Sequence, residues 1–150
     1  EQGWMRLYEE HNLPVHIFRL AGIYGPGRSP LDRVRAGRAR RIIKPGQVFS
    51  RTHVEDIVAI LRASIARVNP GAVYNVADDK PAPPQDVLAE AATLLGLPIP
   101  PDEPFETAEM TEMARSFYAD NKRVSNARIK SELGVTLKHP TYHAGLRALL

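Results

Sequence analysis

Gly22, Gly25 and Gly27 punctuate the stretch Leu20-Ala-Gly-Ile-Tyr-Gly-Pro-Gly-Arg28, directly after an apolar run. Glycines in that place let a backbone approach phosphate groups. A Gly-x-Gly-x-x-Gly cradle begun at Gly25 needs glycine where Pro30 stands, and a Gly-x-x-Gly-x-x-Gly cradle begun at Gly22 needs it where Arg28 stands. Neither spacing is met, so this is not the phosphate loop of a dinucleotide fold. Tyr118 and Lys122 make a Tyr-x-x-x-Lys. On one helix an ammonium at that spacing lowers a phenol's pKa and makes it a general acid or base. The capping signal at Ser125 comes too soon for a helix carrying both to be expected. His139 and His143 stand four apart, but Pro140 marks a helix start between them and no carboxylate sits at ligand spacing. Capping and surface roles are expected for them, with no metal site. His53 reads as structural. Asp78 and Asp79 end a strand, a place where open parallel sheets bind ligands and where a turn can equally cap the next segment.

Arg33, Arg35, Arg38, Arg40, Arg41 and Lys44 fall within twelve residues. Such a run is either a solvated face or a contact for a phosphorylated or carboxylate ligand. It has no interleaved aromatic residue, which disfavours single-stranded nucleic acid.

The elements that must position these groups alternate. A helix over residues 1 to 12 carries Trp4, Leu7 and Tyr8 at helical spacing and ends before Pro14. A buried strand spans Val15 to Leu20. A short helix begins near Pro30, Arg41 to Ile43 is a strand, and Pro45-Gly46 a turn. Thr52 and Glu55 have capping-box spacing, opening a helix to about Arg67 whose buried stripe is Val54, Ile57, Val58, Leu61 and Ile65. A second buried strand covers Ala72 to Ala77, and a helix runs from Pro83 or Pro84 to Gly96. Pro98 to Pro104 reads as a stiff connector, leading to a polar helix over 108 to 117. Ser125 caps a helix ending at Gly134, and Pro140 opens the last one. Strands alternating with helices imply a parallel sheet of the crossover kind.

The 150 residues are 43% hydrophobic and 25% charged, with net charge +3 and no cysteine, an ordinary composition for one domain with a sizeable core. The lack of cysteine excludes thiolate metal sites and cysteine nucleophiles. No apolar run approaches the roughly 18 residues of a membrane span, so a cytoplasmic protein is expected.

Taken in order, Val15-His-Ile-Phe-Arg-Leu-Ala-Gly-Ile-Tyr-Gly-Pro-Gly27, Arg51-Thr-His-Val-Glu-Asp56 and Tyr74-Asn-Val-Ala77 resemble the later half of an extended short-chain dehydrogenase/reductase, the NAD-dependent epimerase/dehydratase family. The resemblance implies the later strands of a Rossmann-type parallel sheet plus a small C-terminal substrate-binding lobe. It places residues 1–27 and 52–79 in the Rossmann portion and 28–51 and 80–150 in the lobe.

The family's Gly-rich loop and catalytic Tyr-x-x-x-Lys lie upstream of the Tyr-Gly-Pro turn. Family members commonly carry a Glu at the spacing that separates Glu1 from Arg19, so the chain is expected to begin just after the catalytic lysine. No catalytic residue is therefore expected within it. By the same resemblance Leu20, Ala21, Gly22 and Ile23 meet the nicotinamide end of NAD or NADP, and Tyr24, Arg28 and Arg51 face the substrate. The family's Asn is replaced by Gly22, and the segment that grips a sugar nucleotide is short between Arg28 and Arg51. The implied whole is an NAD(P)-dependent epimerase, dehydratase or reductase acting on a small, phosphorylated or nucleotide-linked molecule. It would be a homodimer, and this chain would be inactive alone. A non-catalytic dinucleotide-sensing module on the same fold is the alternative.

Overall fold

The computed structural model describes residues 1–150. Helix α1, Gln2–His11, closes on Asn12, whose left-handed backbone (φ 53°) lets its N–H reach the Tyr8 carbonyl and the Leu13 N–H the Leu7 carbonyl. Asparagine tolerates that conformation, and Pro14 keeps the chain from resuming the helix. Strand β1, Ile17–Leu20, is separated from β2, Gly22–Tyr24, by one residue. The glycine stretch read as a turn is thus partly strand. The turn proper is Pro26-Gly27, across which Gly25 and Arg28 exchange two backbone hydrogen bonds of 3.1 Å. Gly27 adopts φ 71°, the value a Pro-Gly turn requires of its glycine.

Helix α2, Pro30–Arg35, opens on a capping box between Ser29 and Asp32. Strand β3, Arg41–Ile43, and strand β4, Arg51–His53, precede helix α3, Val54–Ala66. Strand β5, Val73–Val76, leads to helix α4, Pro84–Leu94. Then come β6, Asp102–Pro104, and three short helices: α5, Glu112–Ser116, α6, Ala127–Ser131, and α7, Tyr142–Arg147.

All strand pairing is parallel. Strand β1 lies on β5 with Ile17 opposite Val73, β2 on β4 with Gly22 opposite Arg51, and β3 on β6 with Arg41 opposite Asp102. Parallel neighbours need long crossovers, and α3 makes the return between the first two pairs. Two apolar clusters result. One gathers Ile60 of α3, Tyr74 and Val76 of β5, and Ile129, Leu133 and Leu137. The other joins Leu31 and Val34 of α2 to Val87, Leu88 and Ala91 of α4 and Leu146 of α7. Glu1 and Arg19 form a bidentate ion pair at 2.6 and 2.9 Å, tying the start of α1 to β1. No helix is long and apolar enough to cross a membrane.

Several sequence expectations are corrected. Thr52 is not a helix cap but the buried middle residue of β4; the N-cap of α3 is His53, whose Nδ1 accepts the Glu55 N–H at 3.2 Å. Most of the stripe expected to be buried is exposed, with Ile65 77% exposed and Val54, Val58 and Leu61 also open, while Ile57 packs half-buried against the core. Asp56, Ile60 and Ser64, one turn-face away, pack inward. Periodicity locates an apolar face but does not say which neighbour covers it. Strand β1 is only half-buried at Ile17 and Phe18 and exposed at Arg19 and Leu20, because β5 is its one partner within this chain. The proline-rich connector ends in strand β6, where Asp102, Glu103 and Pro104 pair with β3. Helix α5 is confined to five residues behind a Thr111 cap, α6 starts at Ala127 behind Asn126, and α7 starts at Tyr142 behind Thr141.

Candidate functional site

Strand β2 and the Pro26-Gly27 turn place the predicted contact residues along one rim. Leu20, Gly22, Ile23 and Arg28 are exposed there, and Ala21 is half-exposed. The turn is seated on α3: a Cβ on Gly25 would come within 2.6 Å of Val54 Cγ1, so only glycine allows this approach.

Tyr24 points the other way. Its ring is buried, meets His53 edge-on at 5.1 Å between centroids, and sets its hydroxyl against Gly145 of α7. Burial raises its pKa, and the Asp78 and Asp56 carboxylates raise it further, so Tyr24 is a neutral brace beneath the rim. Arg51 also turns inward: Nη1 donates to the Phe49 and Ala82 carbonyls at 2.9 and 3.1 Å. Burial lowers its pKa against the pull of Asp78 and neighbouring tyrosines. Asp78 is buried at the end of β5, with Oδ1 accepting the Lys80 N–H at 3.2 Å and Oδ2 without a partner. Its pKa is pushed up to about 7, chiefly by burial, with the Lys80 N–H and Arg51 pulling it down. The pair Asp78-Asp79 thus divides: Asp78 holds a turn, while Asp79 accepts from Asn126 at 2.6 Å and pairs with Lys130 at 2.5 Å.

The Thr-His-Val-Glu-Asp segment clamps the C-terminal part of the chain. The buried Asp56 carboxylate accepts the backbone N–H groups of Lys138 and His139 at 2.7 and 3.1 Å. Glu55 takes His139 Nε2 and Lys138 Nζ, both at 2.8 Å, and these bonds hold its pKa near 2. His53 and His139 stack with ring centroids 3.9 Å apart. His53, Glu55 and His139 bring ligand-type atoms within 4.8 Å of one another. The His53 cap decides against a shared metal, because a neutral ring accepting at Nδ1 carries its proton on Nε2, the atom that would have to ligate.

His139 and His143 do not share a helix face. His139 precedes α7 and meets Glu55, whereas His143 lies on α7 against Glu90 of α4 at 3.1 Å. Tyr118 and Lys122 are also separated: Tyr118 lies just past α5, and Lys122 bridges to Phe49.

A cavity of about 610 Å³ opens between α2, β3, α4 and α5. Arg33, Arg38 and Arg40 line it, facing Phe49, Phe117 and Tyr118. Arg40 is engaged by Glu103 and by the Glu109 carbonyl. The side chains of Arg33 and Arg38 have neither a carboxylate nor a hydrogen-bond partner, so two guanidinium groups are free at an apolar wall. Tyr118, whose pKa is raised by burial, sits within the field of Arg33, Arg40 and Arg51. The arginine run was visible in the sequence. The aromatic residues opposite it were not, because they arrive from positions 49, 117 and 118.

No family model matches the chain. The protein YeeZ of Escherichia coli (strain K12) is 32% identical over 135 residues, covering 87% of this chain and 44% of that protein. A conserved protein of unknown function from Silicibacter pomeroyi DSS is 64% identical, with a TM-score of 0.93 over 99% of this chain and 51% of that one. The chain spans about half the length of these relatives. The dTDP-glucose 4,6-dehydratase of Bacillus anthracis str. Ames, solved with NAD, superposes at a TM-score of 0.75 with 19% identity, over 99% of this chain and 47% of that one. The chain thus has the Rossmann-type fold of the NAD-dependent epimerase/dehydratase proteins, the extended short-chain dehydrogenase/reductases that its motifs resemble.

Proposed function

We propose that this chain supplies the substrate lobe and part of the nicotinamide floor of an NAD(P)-dependent epimerase, dehydratase or reductase. Residues 1–27 and 52–79 form the Rossmann portion in this reading, and 28–51 and 80–150 the lobe. Leu20, Ala21, Gly22 and Ile23 lie under the nicotinamide. Arg28 bounds the substrate side, with Tyr24 and the inward-turned Arg51 bracing it from within. The acid/base pair and the phosphate loop belong to the remainder of the protein, so the isolated chain neither turns over substrate nor holds NAD(P) tightly. A cytoplasmic homodimer, docked through the face of α1 that exposes Trp4 and Leu7, completes the proposal.

The observation that carries it is the cavity between α2, β3, α4 and α5, where unpaired Arg33 and Arg38 face aromatic and apolar walls. Guanidinium groups in a partly apolar cleft select anionic substrates, phosphates above all, by charge-assisted hydrogen bonds. The neighbouring dehydratase, by its name, acts on a dTDP-sugar and was solved with NAD, which favours a phosphorylated or nucleotide-linked substrate and that cofactor.

Calorimetry on the full-length protein tests this. R33A/R38A is expected to weaken binding of nucleoside diphosphates about 10- to 100-fold while leaving NAD(P) affinity unchanged. Equal affinity for the diphosphate in both forms rejects the substrate site. Micromolar NAD(P) binding by residues 1–150 alone rejects the division of labour.

A further inference from the structure

Three side chains from three elements form a relay that the proposed site does not use. Glu90 Oε1 on α4 lies 3.1 Å from His143 Nδ1 on α7, and His143 Nε2 lies 3.0 Å from Lys80 Nζ in the loop between β5 and α4. A carboxylate accepts from Nδ1 only if that nitrogen carries the proton. In the neutral ring Nε2 then holds the lone pair, and it faces the lysine. The order carboxylate, imidazole, nucleophile is that of an activated nucleophile, with an amine in the place of a hydroxyl.

The parts are held in register. Helices α4 and α7 share the apolar cluster of Val87, Ala91 and Leu146. The Lys80 backbone N–H is fixed to Asp78 Oδ1, and its ammonium lies 5.6 Å from the centre of the Tyr142 ring. Arg147 approaches the same Glu90 oxygen at 4.0 Å from the solvent side. Lys80 itself is exposed, so a reagent can reach it.

The other four lysines of the chain have different partners. Lys130 and Lys138 sit on the carboxylates of Asp79 and Glu55, at 2.5 and 2.8 Å. Lys122 is 3.8 Å from Asp120, and Lys44 donates to the Tyr118 carbonyl over the Phe105 ring. Carboxylates and carbonyls keep a proton on the amine. Only Lys80 is bonded to a nitrogen base able to take that proton away.

We propose that Lys80 is a selective acylation site, activated by His143 and Glu90, for small activated acyl donors of the acyl phosphate class. His143 Nε2 removes one proton from the ammonium, and the freed lone pair attacks the acyl carbon. The C–N bond forms as the C–O bond to phosphate breaks, and phosphate leaves with the electron pair. The second proton on nitrogen passes to the departing phosphate as the amide forms. The imidazolium, stabilised meanwhile by Glu90, returns its proton to water. No oxidation or reduction occurs, and the product amide no longer carries the charge that faces Tyr142.

The test uses the purified full-length protein, acetyl phosphate as the donor, and timed peptide mass spectrometry to read acetylation at each lysine. Lys80 is expected to react about tenfold faster than Lys130 or Lys138. His143→Phe should bring Lys80 down to their level, and Glu90→Gln to an intermediate one. Unchanged rates at Lys130 and Lys138 in each variant report an intact fold. If H143F does not fold, E90Q decides, since it keeps the ring in place. A wild-type Lys80 no faster than Lys130, or a Lys80 rate untouched by the variant that folds, overturns the proposal.

Discussion

The two apolar clusters of this chain are built alike and finished differently. Around α2, α4 and α7, the buried residues Leu31, Val87, Ala91 and Leu146 are enclosed by elements of the same chain. Around β1, β5 and α3, Ile60, Tyr74 and Val76 are equally buried, yet the neighbouring surface of α1 and α3 leaves Trp4, Val58, Leu61 and Ile65 open. The first cluster is a closed core from which a charged cavity is carved. The second is one face of a layer whose other face is apolar and unpartnered within this chain. Helices that are apolar on two faces belong to the interior of a larger packing unit.

Substitutions can break or sharpen that contrast. The largest effects are expected inside the cores, where Leu146→Ala and Ile60→Ala should each cost about 2–5 kcal/mol in urea unfolding, both side chains being fully buried. Ile65→Ser, by contrast, should cost no more than about 0.5 kcal/mol if its surface stays open to water. A cost well above that in the full-length protein would show that the α3 stripe is covered there.

Next in size is the junction between the two regions. A Cβ at Gly145 would collide with the Tyr24 hydroxyl, so Gly145→Ala is expected to lose about 1–3 kcal/mol. Adding Tyr24→Phe, which removes the hydroxyl, should recover part of the loss; no recovery in the double variant would deny the contact. Asp56→Asn removes the charge that gathers the Lys138 and His139 N–H groups, for an expected loss of about 1–3 kcal/mol.

The smallest effect concerns pH. Asp78 is raised from an ordinary 3.8 to about 7 by burial, so the folded state holds a proton that the unfolded chain releases. Its contribution is full below about pH 4 and is lost as pH rises toward about 7. Asp78→Asn should therefore stabilise the protein more at pH 8 than at pH 4. Unfolding midpoints that shift equally at both pH values would remove Asp78 from the balance. Glu55, held near 2 by His139 and Lys138, acts in the opposite sense. Its share is present above about pH 4.5 and declines as pH falls toward 2, weakened by its exposure.

Much of this architecture was legible from local chemistry. Asn12 before Leu-Pro, Pro30 and Pro84 each stop or start a helix through backbone groups within a few residues, and all three do so here. The failures share a physical cause. Thr52-x-x-Glu55 meets the spacing of a capping box, but pairing of β2 with β4 draws Thr52 into a strand and hands the cap to His53. Residues 102–104 read as a proline connector because strand β6 exists only by virtue of β3, about sixty positions away in the chain. Of the candidate site, the rim and the arginine run could be read, since each is contiguous. The cavity could not, since its aromatic wall comes from separate segments.

By itself the sequence determined which backbone positions turn, cap and alternate, and through three short motifs the fold those positions build. Such properties arise from the steric freedom of each residue and its near neighbours. Tertiary structure alone decided that Tyr24 faces inward onto Gly145, that Asp56 clamps residues 138 and 139, and that Lys80 meets His143 and Glu90. It also decided that the stripe on α3 points outward. Those outcomes depend on which surfaces meet across the core, and burial, not spacing, sets the chemistry of the groups that meet there.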